Sequence, residues 1–306
     1  MNIRYLKIFL AVVDNKTMNA AAKVLNIAQP SISQAIQEME HYYGVKLFDR
    51  LNRHLYLTPV GAELLSFARY IVSNFDDMEI FLKNSAQNPI LRIGSTATFS
   101  TCFLSNIAAR MQALHPNISM DMVVTNTATV GEKLLSSQLD LGIVEGQIDN
   151  PDILRVHLLT DHVILVCSRT HPFYGKKICF QDLDGQDFIS REETSYLRNR
   201  FDSMARKRSI SYREAWRCSG SEAIKAAVAA GQGIAVLSAV AVKEELEKGL
   251  FYALPISDAN FDREVALVHH KNKFLSPALN TFIHVCRDYL QEALQNEDGQ
   301  KGYILP

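Results

Sequence analysis

A chain of 306 residues is longer than one domain usually is, and 47% hydrophobic residues can fill more than one core. No apolar run is long enough to span a bilayer, and the start, residues 1–7, lacks a signal-peptide core. Five scattered cysteines (Cys102, Cys167, Cys179, Cys218, Cys286) with no Cys-x-x-Cys pair fit reduced cytoplasmic thiols better than a disulfide framework or a zinc site.

The net charge of −1 is unevenly placed. Residues 1–60 hold seven Lys/Arg and four Asp/Glu, a net +3, and the remainder holds 25 and 29, a net −4. A mildly basic head on an acidic body can still neutralise phosphate locally. Tyr5, Leu6, Phe9, Leu10 and Val13 recur at helical spacing and predict a helix over residues 1–13. Thr17 is the expected N-cap of a second helix, whose small residues Ala20, Ala21 and Ala22 allow another helix close approach. After a tight corner a third helix begins with Pro30, whose fixed φ and missing N–H suit a first turn. It would hide Ile32, Ile36 and Met39 and present Gln29, Ser31, Ser33, Gln34 and Gln37. These side chains form no catalytic set. Short donors and acceptors at the N-terminal end of a helix suit base edges in a major groove, and Pro30 could touch a thymine methyl. Gly44 is the expected C-cap residue, and residues 49–57 read as a hairpin with a basic tip, the wing of a winged helix-turn-helix. Arg53, with Arg50 nearby, is expected at phosphates or the minor groove. Arg50 could equally brace Asp49 or Glu40.

Thr58 and Pro59 open a helix running to about residue 85. Leu64, Ala68, Ile71, Phe75, Met78 and Leu82 step by four and three, the a/d seam of a dimerising helix. A short polar linker over residues 84–89 leads into an α/β pattern. Strands are predicted over 90–94, 118–124, 139–144 and 163–167, then 187–190, 233–237 and 265–269. Helices fall to about 113, then over 129–138, 196–206, 221–231 and 276–294, and residues 295–306 read as loose. The alternation implies a mostly parallel sheet covered on both faces, in two halves of one architecture.

Ligands of open α/β sheets lie where strand ends meet helix starts, and free N–H groups there attract anions. Ser95, Thr96 and Thr98 follow the first strand, and Thr125 and Thr127 the second. Ser195 and Ser221 stand before helices of the second half. Together they could hold a carboxylate or another small anion, although each Ser or Thr could equally be an ordinary helix cap. Arg191 and Arg198 would add charge there or lie solvated. Nothing points to catalysis, a cofactor or a metal. There is no Gly-x-Ser-x-Gly, no Walker loop and no cluster of metal ligands, and the His269-His270 pair merely ends a strand.

A dense set of N-terminal residues resembles the LysR-type transcriptional regulators: Phe9, Val12, Ala21-Ala22, Leu25, Gln29-Pro30-Ser31, Ser33, Ile36, Glu40, Gly44, Leu47-Phe48, Arg50, Arg53, Leu57-Thr58 and Gly61. The body matches more loosely, through Leu91 to Gly94, Leu139 to Ile143 and Val228 to Ala235. The resemblance implies a winged helix-turn-helix DNA-binding domain (1–58) and a linker and dimerisation helix with hinge (59–88). It implies an effector-binding domain (89–306) of two Rossmann-like α/β subdomains, similar to periplasmic binding proteins. Subdomain I would cover about 89–164 and 267–295, and subdomain II about 165–266. The implied partners are double-stranded promoter DNA, a small-molecule effector, further copies of the chain as a homodimer or a homotetramer (a dimer of dimers), and RNA polymerase, with no membrane. On the family pattern Thr98 and Thr127 are the foremost effector residues. The chain departs from that pattern at Ala28, where Ser is usual, at Gln34, where many members carry Arg, and at Ser105 and Ser238, where Pro is common. Two other readings stay open, a redox sensor switching through Cys179 and Cys218 and an architectural DNA binder without an effector.

Overall fold

The computed structural model describes residues 1–51, 54–83, 89–295 and 303–304. The chain divides near residue 87 into two compact units.

The first unit opens with α1 (Ile3–Asn15), which Asn2 caps by accepting the Arg4 N–H at 3.0 Å. The helix α2 (Met18–Leu25) is capped by Thr17, which accepts the Ala20 N–H at 3.1 Å. The helix α3 (Gln29–Tyr43) starts at Ala28 without a side-chain cap, has Pro30 in its first turn, and ends at Gly44 in the left-handed region. Ala21 and Ala22 are buried, which lets α2 lie close to its neighbours. Ile32 and Ile36 are also buried in this core, each worth about 1.5–3 kcal/mol.

The strands β1 (Phe48–Leu51) and β2 (His54–Leu57) pair antiparallel as the wing. Glu40 fixes its entry. One Glu40 oxygen accepts the N–H groups of Leu47 at 2.8 Å and Phe48 at 3.3 Å, and the other meets Lys46 at 2.9 Å. Burial would raise this carboxyl. The N–H of Leu47, the Lys46 ammonium and the N–H of Phe48 outweigh burial and hold it below the usual range.

Thr58 then caps α4 (Pro59–Lys83), accepting the Gly61 N–H at 3.0 Å. A Cβ on Gly61 would lie 2.2 Å from the Leu47 carbonyl oxygen, so the wing can rest there only on glycine. The 25 residues of α4 span about 37 Å. Its expected seam divides between two faces. Ala68 is buried in this unit's own core and Leu64 packs on it, whereas Ile71, Met78 and Leu82 are exposed, in line with exposed Val60 and Phe67. Ion pairs Lys7–Asp76 (2.7 Å) and Arg69–Asp14 (2.6 Å) tie α4 to α1.

The second unit runs through β3 (Ile90–Ser95), α5 (Ala97–Phe99), a π-helical turn Ser100–Leu104, α6 (Ser105–Leu114), β4 (Ser119–Val124), α7 (Thr127–Leu135), β5 (Leu141–Glu145), β6 (Ile153–Asp161) and β7 (Val163–Ser168). It continues with β8 (Asp187–Arg191), α8 (Tyr196–Lys207), β9 (Arg213–Cys218), α9 (Ser221–Ala229), β10 (Ala235–Ser238), α10 (Lys243–Glu247), β11 (Phe251–Leu254), β12 (Arg263–His270), α11 (Pro277–Gln295) and β13 (Tyr303–Ile304). One sheet has the order β13-β6-β12-β5-β3-β4. Only β3, β4 and β5 in it are parallel, fewer than the alternation predicts. The strand β12 returns from the other half of the unit and so enters antiparallel to both β5 and β6. The second half holds an antiparallel sheet, β10-β7-β11, and a parallel pair, β8-β9. Residues 303–304, read as loose, pair with β6.

The chain crosses between halves at His162 and again at Asp262. The two crossings are fastened together: His162 Nδ1 lies 3.0 Å from Asp262 Oδ2, and the Val163 N–H donates to Asp262 Oδ1 at 3.2 Å.

Candidate functional site

Two places in the structure gather the chemistry singled out by the sequence. The first is the outer face of α3. Its inner side, Ile32, Ala35, Ile36 and Met39, is buried. Gln29, Pro30, Ser31, Gln34 and Gln37 are exposed and Ser33 is half-buried, so the six share a polar, accessible face. The Gln34 amide donates from Nε2 to Glu38 Oε1 at 2.8 Å, and the Tyr5 hydroxyl donates to Glu38 Oε2 at 2.5 Å. Arg50 lies in β1 and pairs through its backbone with Leu55. Its side chain and the whole of Arg53 lie outside the described residues.

The second place is the carboxyl edge of β3, β4 and β5. Ser95 pairs with Val124 and with Ile143 across the parallel strands, which sets Ser95, Thr96, Thr98, Thr125 and Thr127 along one edge. Ser95 and Thr96 are buried, and the other three are half-buried. Thr127 donates to the Glu145 carbonyl at 3.0 Å, and the Thr125 N–H to the Ser95 carbonyl at 2.9 Å. The buried hydroxyls of Thr96 and Ser100 find no partner among the described residues. Ser100 opens the π turn, a distortion that recurs at functional sites.

Ser195 and Ser221 lie in the other half of the unit. Ser195 is the N-cap of α8 and Ser221 the first residue of α9, and neither side chain caps its helix. The start of α8 reaches the strand edge: a Cβ on Gly146, where φ is +86°, would fall 2.4 Å from the Tyr196 ring. Glycine is therefore required beneath that tyrosine.

Sequence reading missed the ionic group at the floor of this edge. Arg263 donates from Nε to Asp161 at 2.8 Å and from Nη2 to Thr98 at 3.3 Å, and its Nη1 lies 4.0 Å from Glu145. The Asp161 carboxylate also accepts from Ser238 at 2.6 Å, and the second Glu145 oxygen accepts the Phe99 N–H at 2.8 Å. Burial pushes the Asp161 carboxyl up, against the pull of Arg263 and Ser238. Its members stand far apart in the sequence, so nothing local marked the group. Arg191 and Arg198 are committed elsewhere, Arg191 to Glu192 at 2.8 Å and Arg198 to Glu214 at 2.6 Å.

All the cysteines lie in the second unit. All five are free. Burial pushes Cys102 and Cys286 up to about 12 and Cys167 to about 11, and Cys218 also upward. Cys179 donates to Asp182 at 3.2 Å. A redox switch needs a thiolate, which burial opposes at Cys102, Cys167, Cys218 and Cys286. His269 and His270 are buried, and burial holds His270 down at about 4. Among the described residues no group of three or more His, Cys, Asp or Glu could hold a metal ion, and no helix is long and apolar enough to cross a membrane.

Comparison with known proteins agrees with this division. Residues 3–62 match the family model for the bacterial regulatory helix-turn-helix protein, lysR family, and residues 85–291 match the LysR substrate binding domain. The chain belongs to the LysR family of transcriptional regulators. It is 27% identical over 267 residues to the HTH-type transcriptional regulator CysL of Bacillus subtilis, covering 86% of this chain and 89% of that protein. A full-length OxyR from Pseudomonas aeruginosa superposes with a TM-score of 0.68 at 21% identity, covering 95% of each chain. The CcmR regulatory domain of Synechocystis PCC6803, solved with 2-PG, superposes with a TM-score of 0.62 at 25% identity. That match covers 66% of this chain and 97% of the domain. The protein is thus a DNA-binding regulator with a winged helix-turn-helix and a two-subdomain effector domain.

Proposed function

We propose that α3 enters the major groove of promoter DNA, where Gln29, Ser31, Ser33, Gln34 and Gln37 meet base edges and Pro30 a thymine methyl. Arg50 and Arg53 of the wing meet phosphates or the minor groove. The observation that carries this reading is the split of α3 into a buried apolar side and an exposed polar side. The exposed stripe of α4 pairs two copies of the chain, and two such dimers form the tetramer that spans a promoter, beside RNA polymerase.

The effector is a small anionic metabolite. It binds at the carboxyl edge of β3 and β4, on the hydroxyls of Ser95, Thr96, Thr98, Thr125 and Thr127, with Ser195 and Ser221 closing from the other subdomain. The unpartnered buried Thr96 hydroxyl supports this, as does the capture of 2-PG by the CcmR domain of the same fold. Binding favours one arrangement of the subdomains and so changes how the dimer sits on DNA. A thermal-shift panel of small carboxylates, phosphate esters, amines and neutral sugars tests the class. We expect stabilisation by one anionic class, at least ten-fold weaker for Thr98→Val. Stabilisation by amines alone, or a response untouched by Thr98→Val and Thr127→Val, contradicts the reading.

A further inference from the structure

The Tyr5–Glu38–Gln34 chain of hydrogen bonds has a consequence for base choice, resting on the reading of α3 as the groove-facing helix. A free glutamine amide can turn over and offer either its oxygen or its NH2. Here it cannot do so without loss. Glu38 lies one turn after Gln34, and a carboxylate only accepts, so the Gln34 NH2 must face it. Glu38 is itself held from α1 by the Tyr5 hydroxyl on its other oxygen. Both bonds keep the Glu38 carboxyl below its usual range, and donating to a carboxylate raises the Tyr5 phenol. We infer that Glu38, braced by Tyr5, is a positioning residue that presents the Gln34 carbonyl oxygen, with one N–H beside it, to the groove. The base opposite Gln34 is then one with an exocyclic amine, adenine through N6 and N7 or cytosine through N4.

The alternatives fit worse. Guanine offers two acceptors, N7 and O6, and thymine offers O4, so each needs N–H groups where Gln34 presents its oxygen. The Glu38 charge beside the groove adds repulsion toward those oxygens. An acid on a DNA-facing helix also weakens phosphate attraction, a cost that an orienting role would offset.

The test is selection from a randomised duplex DNA pool with the full chain. The variants are Gln34→Ala, Glu38→Ala, Glu38→Gln, Tyr5→Phe and the double Gln34→Ala/Glu38→Ala. We expect one position per half-site where the unaltered protein prefers a single base pair, in the orientation that turns its amine-bearing base toward Gln34, about ten-fold. Gln34→Ala should abolish that preference. Glu38→Ala should reduce it to about two-fold or less, and Tyr5→Phe and Glu38→Gln should weaken it partly, with all other positions unchanged. The double variant should match Gln34→Ala alone. A merely structural role for Glu38 would instead lower binding evenly across positions. The proposal is overturned if Gln34→Ala alters a position that Glu38→Ala leaves intact, or if removing the exocyclic amine at that pair (purine in place of adenine, or pyrimidin-2-one in place of cytosine) leaves binding of the unaltered protein unchanged. Failure of the underlying reading looks different: Gln34→Ala then leaves every position unchanged.

Discussion

Glu40 and Asp161 are both buried acids, and they respond differently to change. Glu40 satisfies two backbone N–H groups that would otherwise be orphaned where α3 gives way to the wing. Glu40→Ala should cost about 1–3 kcal/mol in chemical unfolding of the first unit. Its folded pKa lies below the ordinary 4.5, so its contribution is present above that value and is lost as pH falls through the folded pKa. The gap in urea midpoint between the unaltered protein and Glu40→Ala should therefore hold from pH 7 to about 5 and shrink in more acid solution. A gap that widens on acidification would contradict the assignment. Asp161 is the counter-charge of buried Arg263, and Asp161→Ala leaves a guanidinium with too little compensation. That substitution should destabilise the second unit by about 3–5 kcal/mol in the same measurement. Glu40 was legible as part of the family pattern, though its partners were not. The pairing of Asp161 with Arg263 was not legible at all, because 102 residues separate them and only the antiparallel return of β12 beside β6 brings them together.

Among the elements, α4 shows most clearly where periodicity stops being informative. A helix apolar on two faces gives more than one seam at spacing of three and four, and hydrophobicity alone does not say which is covered by its own chain. In the structure Ala68, with Leu64 and Leu65 beside it, faces the winged-helix core, and the outward stripe is Val60, Phe67, Ile71, Met78 and Leu82. Replacing Ile71 and Met78 with Glu should therefore lower the assembly by one step in sedimentation velocity, halving the number of copies, while leaving the far-ultraviolet circular dichroism unchanged. Persistence of the assembly would move the interface elsewhere. Two of the strands missed in the sequence have a common cause. Ile153–Asp161 is broken by Arg155 and His157, and Arg213–Cys218 is an exposed edge carrying Arg213, Glu214 and Arg217. Neither has the apolar run or the clean alternation that marks a strand.

At the scale of the whole molecule, the two-part organisation was legible because the helix-turn-helix depends on local features: Thr17 as cap, Pro30 in a first turn, Gly44 at a C-cap and Gly61 under a carbonyl. The candidate effector edge was legible in part. The hydroxyls after β3 and β4 could be placed from strand ends, but the groups that shape their surroundings, Arg263, Glu145 and Tyr196 over Gly146, converge only through the fold. The central claim is that the exposed side of α3 reads DNA, and footprinting on the strongest genomic binding site tests it most directly. The unaltered protein should protect two half-sites spaced by a multiple of about 10 base pairs, and Gln29→Ala combined with Ser31→Ala should lose that protection at concentrations that saturate the original. Protection that is indifferent to sequence, or a footprint the double variant retains unchanged, would contradict the account.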